Sequence, residues 1–575
     1  MEITNKSKLV LLRKDLKELI FSHLHISDYL NITKSCSELK NFFKIKPKTL
    51  KILKLIKESH LQEIIDNFDA YLDKYEKFFG IKEKDLYEAI GLRIVFTIDS
   101  SSYLKELCVK ISILKNWVIL KNSLDSLPNN NFMRKSSILL ILNPQNYKNF
   151  LKSKINEMNP FIKGLKFYEN SLDEEGIILL NQFLKENISI RTLNLEKNNL
   201  SEKACQQLVE IVKNTEVLNN LYLSKININD TCTKILFTEL KEKKSLLKLY
   251  YANNNVDKSC AGVLGEILSI NDTITTLDMS NNMLQDEGVI ILTDSLKNNN
   301  SLKSLSLSNN CLTANCVNPL VEMIKANSSI TYLDISENKF NCKAIKLLLK
   351  SIQSSKITKL SLAKSEINRK VFKFFFDNIT NLVDLNISGN ELEPDSCTML
   401  YTFLKEGNSK NLRSLSLNQC NIDNVGLYWI YNGMKKNKTL KTLKMSNNNF
   451  ADEGAKNISL FLEKNQSLTD LDVSYNKITD DGLKLIFASI TGRSYLKTLN
   501  ISSNVFTDVT STVIGEFLFN RSQLRTLIMK TSLIREDYYK YIIDAANLNN
   551  YLLKLVVQVR LKNNFSKMKK IEFEL

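Results

Sequence analysis

Apolar residues in this chain recur every 28 residues over most of its length, and that period constrains the fold more than any other feature. The pattern L-x-x-L-x-L-x-x-N-x-L opens at Ile162, Ile190, Leu218, Leu246, Ile274, Leu302 and Ile330, and again at Leu412, Leu440, Leu468, Leu496, Leu524 and Leu552. Between those runs it opens at Ile357 and Leu382, with spacings of 27, 25 and 30 residues. A unit this short cannot bury its apolar face until neighbours stack on it, so the period implies a solenoid.

Each unit has two halves with different periods. In ITTLDMSNNMLQDEGVIILTDSL (Ile274 to Leu296) the first half alternates apolar and polar residues, which predicts a short strand. The second half places Val289, Leu292 and Leu296 at helical spacing, which predicts a returning helix. LTDLDVSYNKITDDGLKLIFASI (Leu468 to Ile490) repeats the arrangement. Such units resemble leucine-rich repeats of the ribonuclease-inhibitor-like type. That resemblance implies an α/β solenoid (horseshoe) of about 14 repeats over residues 161–551, with strands on an inner arc and helices outside. A C-terminal strand and cap are expected at 552–575, and an all-helical region before residue 161.

The repeated asparagine has its own task, because a side-chain amide can bond the backbone of the turn that leaves the strand. Asn170, Asn198, Asn254, Asn282, Asn310, Asn338, Asn390, Asn448, Asn476 and Asn504 occupy that slot. Ile226, Ser365, Cys420 and Ser532 replace it, and Ile226 predicts a locally irregular third repeat. Cys205, Cys232, Cys260, Cys316 and Cys397 take a slot held elsewhere by Gly176, Gly288, Gly426, Gly454 and Gly482. A small buried residue is needed there, so these cysteines read as structural rather than as metal ligands or disulfides. The N-x-S/T triplets read as chance in a chain rich in Asn and Ser.

Composition, 43% hydrophobic and 25% charged, is that of an ordinary folded protein. No apolar run reaches the ~18 residues of a membrane span, and the N-terminus MEITNKSKLVLLRKDLKEL is not patterned as a signal peptide, so a cytoplasmic location is expected. The net charge of +17 comes from scattered lysines, densest in FFKIKPKTLKILKLIK, which reads as a solvated surface. No stripe of basic and aromatic residues points to nucleic acid. Three histidines, His23, His25 and His60, precede the repeats without triad or metal-ligand spacing, and no phosphate-binding glycine loop occurs. The reading is a binding protein with no catalytic residue, metal or cofactor.

The N-terminal stretch LRKDLKELIFSHLHISDYLNITKSCSELKNFF places Leu12, Leu16, Leu19, Ile20 and Leu24 on one helical face, and Asp28 starts a second helix as an N-cap. It resembles an F-box, the module that docks substrate receptors on the Skp-type adaptor of a cullin ubiquitin ligase. Leu12, Asp15, Leu16, Ile20, Phe21, Leu24, Asp28, Cys36 and Leu39 fit that register, whereas Arg13, Tyr29 and Ser35 depart from it and Leu39 stands where the pattern has Trp. The resemblance implies adaptor contact through Leu12, Leu16, Ile20, Phe21, Leu24 and Asp28. Residues 1–50 are then F-box-like helices and 51–160 a helical linker or cap, with helices expected over 59–79, 85–96 and 100–121.

Partner contact is expected on the inner arc. Tyr168, Tyr222, Tyr250 and Tyr332 form a candidate hot-spot patch, since Tyr gives large contact area at small entropic cost. Asp278, Asp334, Asp384, Asp470 and Asp472 outnumber Lys359 and Lys444 there, which predicts a basic or amide-rich partner segment. Ile528 and Val556, apolar on the same face, predict that the C-terminal tail covers the last strands. VFKFFFDNI (Val371 to Ile379) is a secondary candidate surface if its phenylalanines lie outside. Two functional classes stand: a substrate-recognition subunit of a Skp-cullin-F-box ligase, including a bacterial effector acting in a host cytosol, and a Ran GTPase-activator-like or scaffold repeat protein with no ligase link.

Overall fold

In this computed structural model the structure describes residues 162–557 apart from 168, 406–408, 491–494, 520–523, 531–533, 550 and 553, together with 106–110, 137–142, 148, 151 and 571–573. The F-box-like segment, with Leu12, Leu16, Ile20, Phe21, Leu24 and Asp28, lies outside the described residues, as does Tyr168.

The chain forms two compact units, residues 1–249 and 250–575. The first holds β1 (Glu106–Lys110), β2 (Ser137–Leu142), β3 (Ile162–Phe167), α1 (Glu174–Glu186), β4 (Thr192–Asn194), α2 (Glu202–Asn214), β5 (Asn220–Tyr222) and α3 (Asp230–Leu240). β6 (Lys248–Tyr250) lies at the boundary. The second holds α4 (Lys258–Ile270), β7 (Thr276–Asp278), α5 (Gln285–Leu296), β8 (Ser304–Ser306), α6 (Val317–Ala326), β9 (Tyr332–Asp334), α7 (Cys342–Gln353), β10 (Lys359–Ser361), α8 (Arg369–Asn378), β11 (Asp384–Asn386), α9 (Pro394–Lys405) and β12 (Ser414–Ser416). It continues through α10 (Asn424–Met434), β13 (Thr442–Lys444), α11 (Asp452–Leu462), β14 (Asp470–Asp472), α12 (Asp480–Ile490), β15 (Thr498–Asn500), α13 (Val509–Phe519), β16 (Thr526–Met529), α14 (Glu536–Leu548), β17 (Lys554–Val557) and β18 (Ile571–Phe573).

Every described strand pairing is parallel. β1 to β5 pair in sequence order in the first unit, and β7 to β18 do so in the second. This is the α/β leucine-rich repeat solenoid that the 28-residue period implies. β1 and β2 are a departure from the all-helical region expected before residue 161, with a helix over 100–121: Glu106–Lys110 and Ser137–Leu142 are strands that pair with each other and lead into β3. The apolar alternation of LCVKI fits period two as readily as helical spacing, and a registered neighbour, β2, decides in favour of the sheet.

The three-residue strands are short because each repeat needs one inward leucine flanked by two outward residues. In β7, β9, β11, β14 and β15 the central leucine is buried while both flanking residues are half-buried. Leu277, Leu305, Leu333, Leu360 and Leu385 stand in register behind the sheet, each worth roughly 2 kcal/mol of burial. Helices begin where a side chain can accept an orphan N–H: Asp173, Ser201, Asn229, Asn341 and Asp423 each cap one.

Two asparagine ladders hold the turns. The expected one is present: Asn338 Oδ1 accepts from the backbone of Asn310 and Leu312 at 3.0 Å each, while its amide donates to Leu307 and Ile335. Asn282, Asn390 and Asn448 make equivalent bonds. Each amide thus closes its own turn and ties it to the preceding repeat. Asn170 does not belong to this ladder. It is exposed with φ 52°, and the backbone of Ser171 donates to Asn198 instead, so the first repeat carries one extra residue in the turn. The third repeat keeps its turn despite Ile226: Lys225 and Asn227 adopt φ 56° and 58°, as Asn253 and Asn255 do, and the Ile226 carbonyl accepts from Leu200. A backbone carbonyl replaces the missing side-chain acceptor, so the predicted irregularity does not arise.

The second ladder overturns the reading of N-x-S/T as chance. Asn299, Asn327 and Asn465 open such triplets at the turn from helix to strand, and all three are buried. Asn327 donates to Leu296 and Asn299 carbonyls at 2.7 and 2.8 Å, and its oxygen accepts from the Ser329 and Ile330 backbones. Ser329 Oγ bonds the Leu302 carbonyl at 2.7 Å. The triplet recurs because the turn needs an amide and a hydroxyl at that spacing.

Cys260, Cys316 and Cys397 are buried thiols outside any disulfide, as the small-residue slot requires. A Cβ added to Gly454 would stand 2.7 Å from the Phe450 Cβ and 3.0 Å from Asn424 Oδ1, which is why glycine holds the slot there. Cys205 and Cys232 face each other across consecutive repeats, with Cα atoms 6.4 Å apart, a separation that a disulfide can span.

Candidate functional site

The outward residues of the second unit's strands form two columns separated by the buried leucines. One runs Thr276, Ser304, Tyr332, Lys359, Asp384, Ser414, Thr442, Asp470 and Thr498. The other runs Asp278, Ser306, Asp334, Ser361, Asn386, Ser416, Lys444, Asp472 and Asn500. Neighbouring strands lie ~4.8 Å apart, so Asp278 and Asp334, two strands apart, stand about 10 Å from each other.

The structure therefore brings together most of the sequence-predicted residues of this unit. Asp278, Tyr332, Asp334, Asp384, Asp470 and Asp472 are all half-buried on one face of one sheet, and Lys359 and Lys444 are exposed on it. Five carboxylates against two ammonium groups leave this face negative in a chain of net charge +17. Tyr222 is half-buried at the corresponding position of the first unit, and Tyr250 lies at the boundary strand. Ile528 is half-buried and Val556 buried in the same column, where β17 and β18 extend the sheet.

Tyr332 is the centre of the arrangement. Its hydroxyl donates to Asp334 Oδ2 at 3.3 Å. Burial first, and then the charges of Asp334, Asp278 and Asp384, hold its phenol well above the ordinary tyrosine range, so it stays a neutral donor. Three carboxylates around a fixed phenol make a site that attracts a cation and offers an aromatic edge beside it.

Sequence reasoning missed what the aspartates do for the fold. Asp278 Oδ1 accepts from the backbone and hydroxyl of Ser280 at 2.9 and 2.5 Å, and Asp472 does the same for Ser474 at 3.0 and 2.6 Å. Asp334 accepts from the Ser336 backbone at 3.0 Å. One oxygen of each carboxylate therefore closes the strand-exit turn. Asn386 and Asn500 make the same bond to Ser388 and Ser502, so the turn requires the oxygen and not the charge. The signal for this role is the Asp-x-Ser spacing itself, which places the carboxylate two residues before the turn's serine.

The phenylalanine helix is a correction. Phe372, Phe375 and Phe376 of α8 are buried, and only Phe374 is half-buried. Phe376 stacks on Phe372 at 5.7 Å and meets Phe403 of α9 at 5.2 Å. The repeat beginning at Ile357 has 25 residues and a ten-residue helix, so bulky rings fill the volume that shorter side chains fill in longer repeats. Three of the four rings therefore belong to the core rather than to an outer surface.

Residues 271–292, 408–428, 436–459 and 464–487 match the Leucine Rich repeat family. Among curated proteins no relative matches the chain. A solved structure of Leiomodin-1 Actin-Binding Site 2 (ABS2) is similar over 25% of this chain and 84% of its own, with 17% identity and a TM-score of 0.22. Among the described residues no helix is long and apolar enough to cross a membrane.

Proposed function

We propose that this protein is a non-catalytic receptor that binds a basic segment of another protein on the strand face of residues 276–500. The observation that carries the reading is the substitution pattern in the second column. Asn386 and Asn500 serve the turn as well as Asp278, Asp334 and Asp472 do, so the fold does not explain the charge, and the charge surrounds Tyr332. A lysine or arginine seated between Asp278, Asp334 and Asp384 exchanges water for carboxylates and for the edge of an aromatic ring.

The partner's fate is a finer reading. We take the receptor to be the substrate-recognition subunit of a Skp-cullin-F-box ubiquitin ligase, supported by the F-box-like register of Leu12, Leu16, Ile20, Phe21, Leu24 and Asp28 ahead of leucine-rich repeats. The test has two independent arms. Co-purification of the full chain with a Skp-type adaptor, lost in Leu16→Asp/Ile20→Asp, supports the ligase link; absence of binding by the unmodified chain removes it and leaves a scaffold. For the strand face, binding of an arginine-lysine peptide should fall about tenfold, ~1.4 kcal/mol, in Asp278→Asn/Asp334→Asn with no change in melting temperature. Unchanged peptide affinity in that variant refutes the cation site whatever the adaptor does.

A further inference from the structure

The helix layer of the second unit carries an aromatic cluster that neither the core nor the strand face uses. The core side of α10 is Gly426, Leu427, Ile430, Gly433 and Met434. On its other side Val425, Tyr428, Tyr431 and Lys435 follow one another at steps of three and four, one stripe of the helix surface. Val425 is 55% exposed and Tyr428 48%. Trp429 sits between rings, 5.8 Å from Tyr401 of α9 and 5.5 Å from Tyr428, which lies 6.3 Å from Tyr431. Lys405 stands over the Tyr401 ring at 5.2 Å.

Charge distinguishes this cluster from a solvated helix face. No aspartate or glutamate occurs from Asn424 to Ala451, whereas Lys435, Lys436 and Lys438 follow the end of α10 and are exposed. Lysines at a helix C-terminus complement its dipole, which accounts for one or two of them; it does not account for four rings beside them. Tryptophan and tyrosine ringed by charge are the usual composition of an interface centre. We propose that the Tyr401–Tyr428–Trp429–Tyr431 platform and its lysine rim form a second docking surface, taking an acidic segment of a partner protein that carries aliphatic side chains. The aliphatic groups lie on the rings while the carboxylates face Lys435, Lys436 and Lys438. A lipid surface fits less well, because bilayer insertion rewards protruding apolar side chains. Here Val425 is the one aliphatic residue of the stripe, and Trp429 is half-buried among its neighbours.

The test uses the full chain with Trp117→Phe, which leaves Trp429 as the only tryptophan. The probe is a synthetic peptide alternating glutamate and leucine, with a lysine-leucine peptide and phosphatidylserine vesicles as comparisons. Expected is a shift in Trp429 emission with the glutamate-leucine peptide, weakened by salt and weakened at least about tenfold by Lys435→Glu/Lys436→Glu. Tyr428→Ala should weaken it comparably, and Asp278→Asn/Asp334→Asn should not, which separates this surface from the strand face. The proposal is overturned if Trp429 does not respond up to ~1 mM peptide, the affinity floor of a specific site. Unaltered binding in the lysine variant, a response to vesicles alone, or a shift that tracks protein concentration without peptide would each overturn it too.

Discussion

Asn327 shows how much of this fold rests on single amides. Its side chain fills both roles an amide has, donating to two carbonyls of the preceding repeat and accepting from two N–H groups of its own turn. Aspartate has nearly the same shape and keeps the acceptor, yet it brings a charge into a buried site and leaves the Leu296 and Asn299 carbonyls facing an anion. Asn327→Asp should therefore cost more than Asn327→Ala loses in packing, with each unsatisfied group worth ~1–3 kcal/mol. Urea denaturation of both variants checks this, and equal stability of Asn327→Asp and the unmodified chain would refute the bonding scheme. The same geometry bars glycosylation at Asn299, Asn327 and Asn465 in the folded chain, since each amide nitrogen is buried and engaged. The first ladder was legible in the sequence because its asparagine falls in the middle of the repeat signature. The second was hidden because N-x-S/T is also a common triplet, and only the position of each copy three residues before a repeat start separates structure from chance.

At the scale of the element, the strands were legible and their outward columns with them, because a side-chain period of two leaves no freedom once the leucines are placed. That is why Asp278, Asp334, Asp384, Asp470, Asp472 and Tyr332 reach one face as read. Helices were less transparent. In α8 the stripe of four phenylalanines looked like surplus surface, but the shortened repeat turned three of them inward. In α10 the sequence NVGLYWIYNGM is so apolar that it hides which side faces out; two glycines at Gly426 and Gly433 mark the packed side and thereby expose the rings. A Cβ on Gly433 would approach the Leu404 Cβ to 3.0 Å, so α9 and α10 meet closely along that line. β1 and β2 failed for a further reason: LCVKI satisfies two periods at once, and only a paired neighbour decides between them.

For the second unit as a whole, stability is a sum of repeat terms and nearest-neighbour interfaces, so cooperativity is only as strong as its weakest junction. The junctions between β9 and β12 are the ones where the spacing runs 27, 25 and 30; the strand leucines stay in register there, while the helix layer is filled by the Phe372–Phe376–Phe403 stack. Phe376 joins two consecutive repeats through that stack, and its loss removes packing from an interface that has no ladder of equal-length neighbours to share the strain. Phe376→Ala should cost ~3–5 kcal/mol, and the cost falls on one junction rather than on the unit at large. We expect the unmodified chain to lose far-ultraviolet ellipticity and Trp429 emission together in urea, in the Trp117→Phe background. In Phe376→Ala the two signals should separate, because the repeats on one side of α8 can then unfold while those on the other persist. Coincident transitions in the variant, merely shifted to lower urea, would mean that coupling along the repeats is spread evenly and that the irregular stretch is no weaker than the rest.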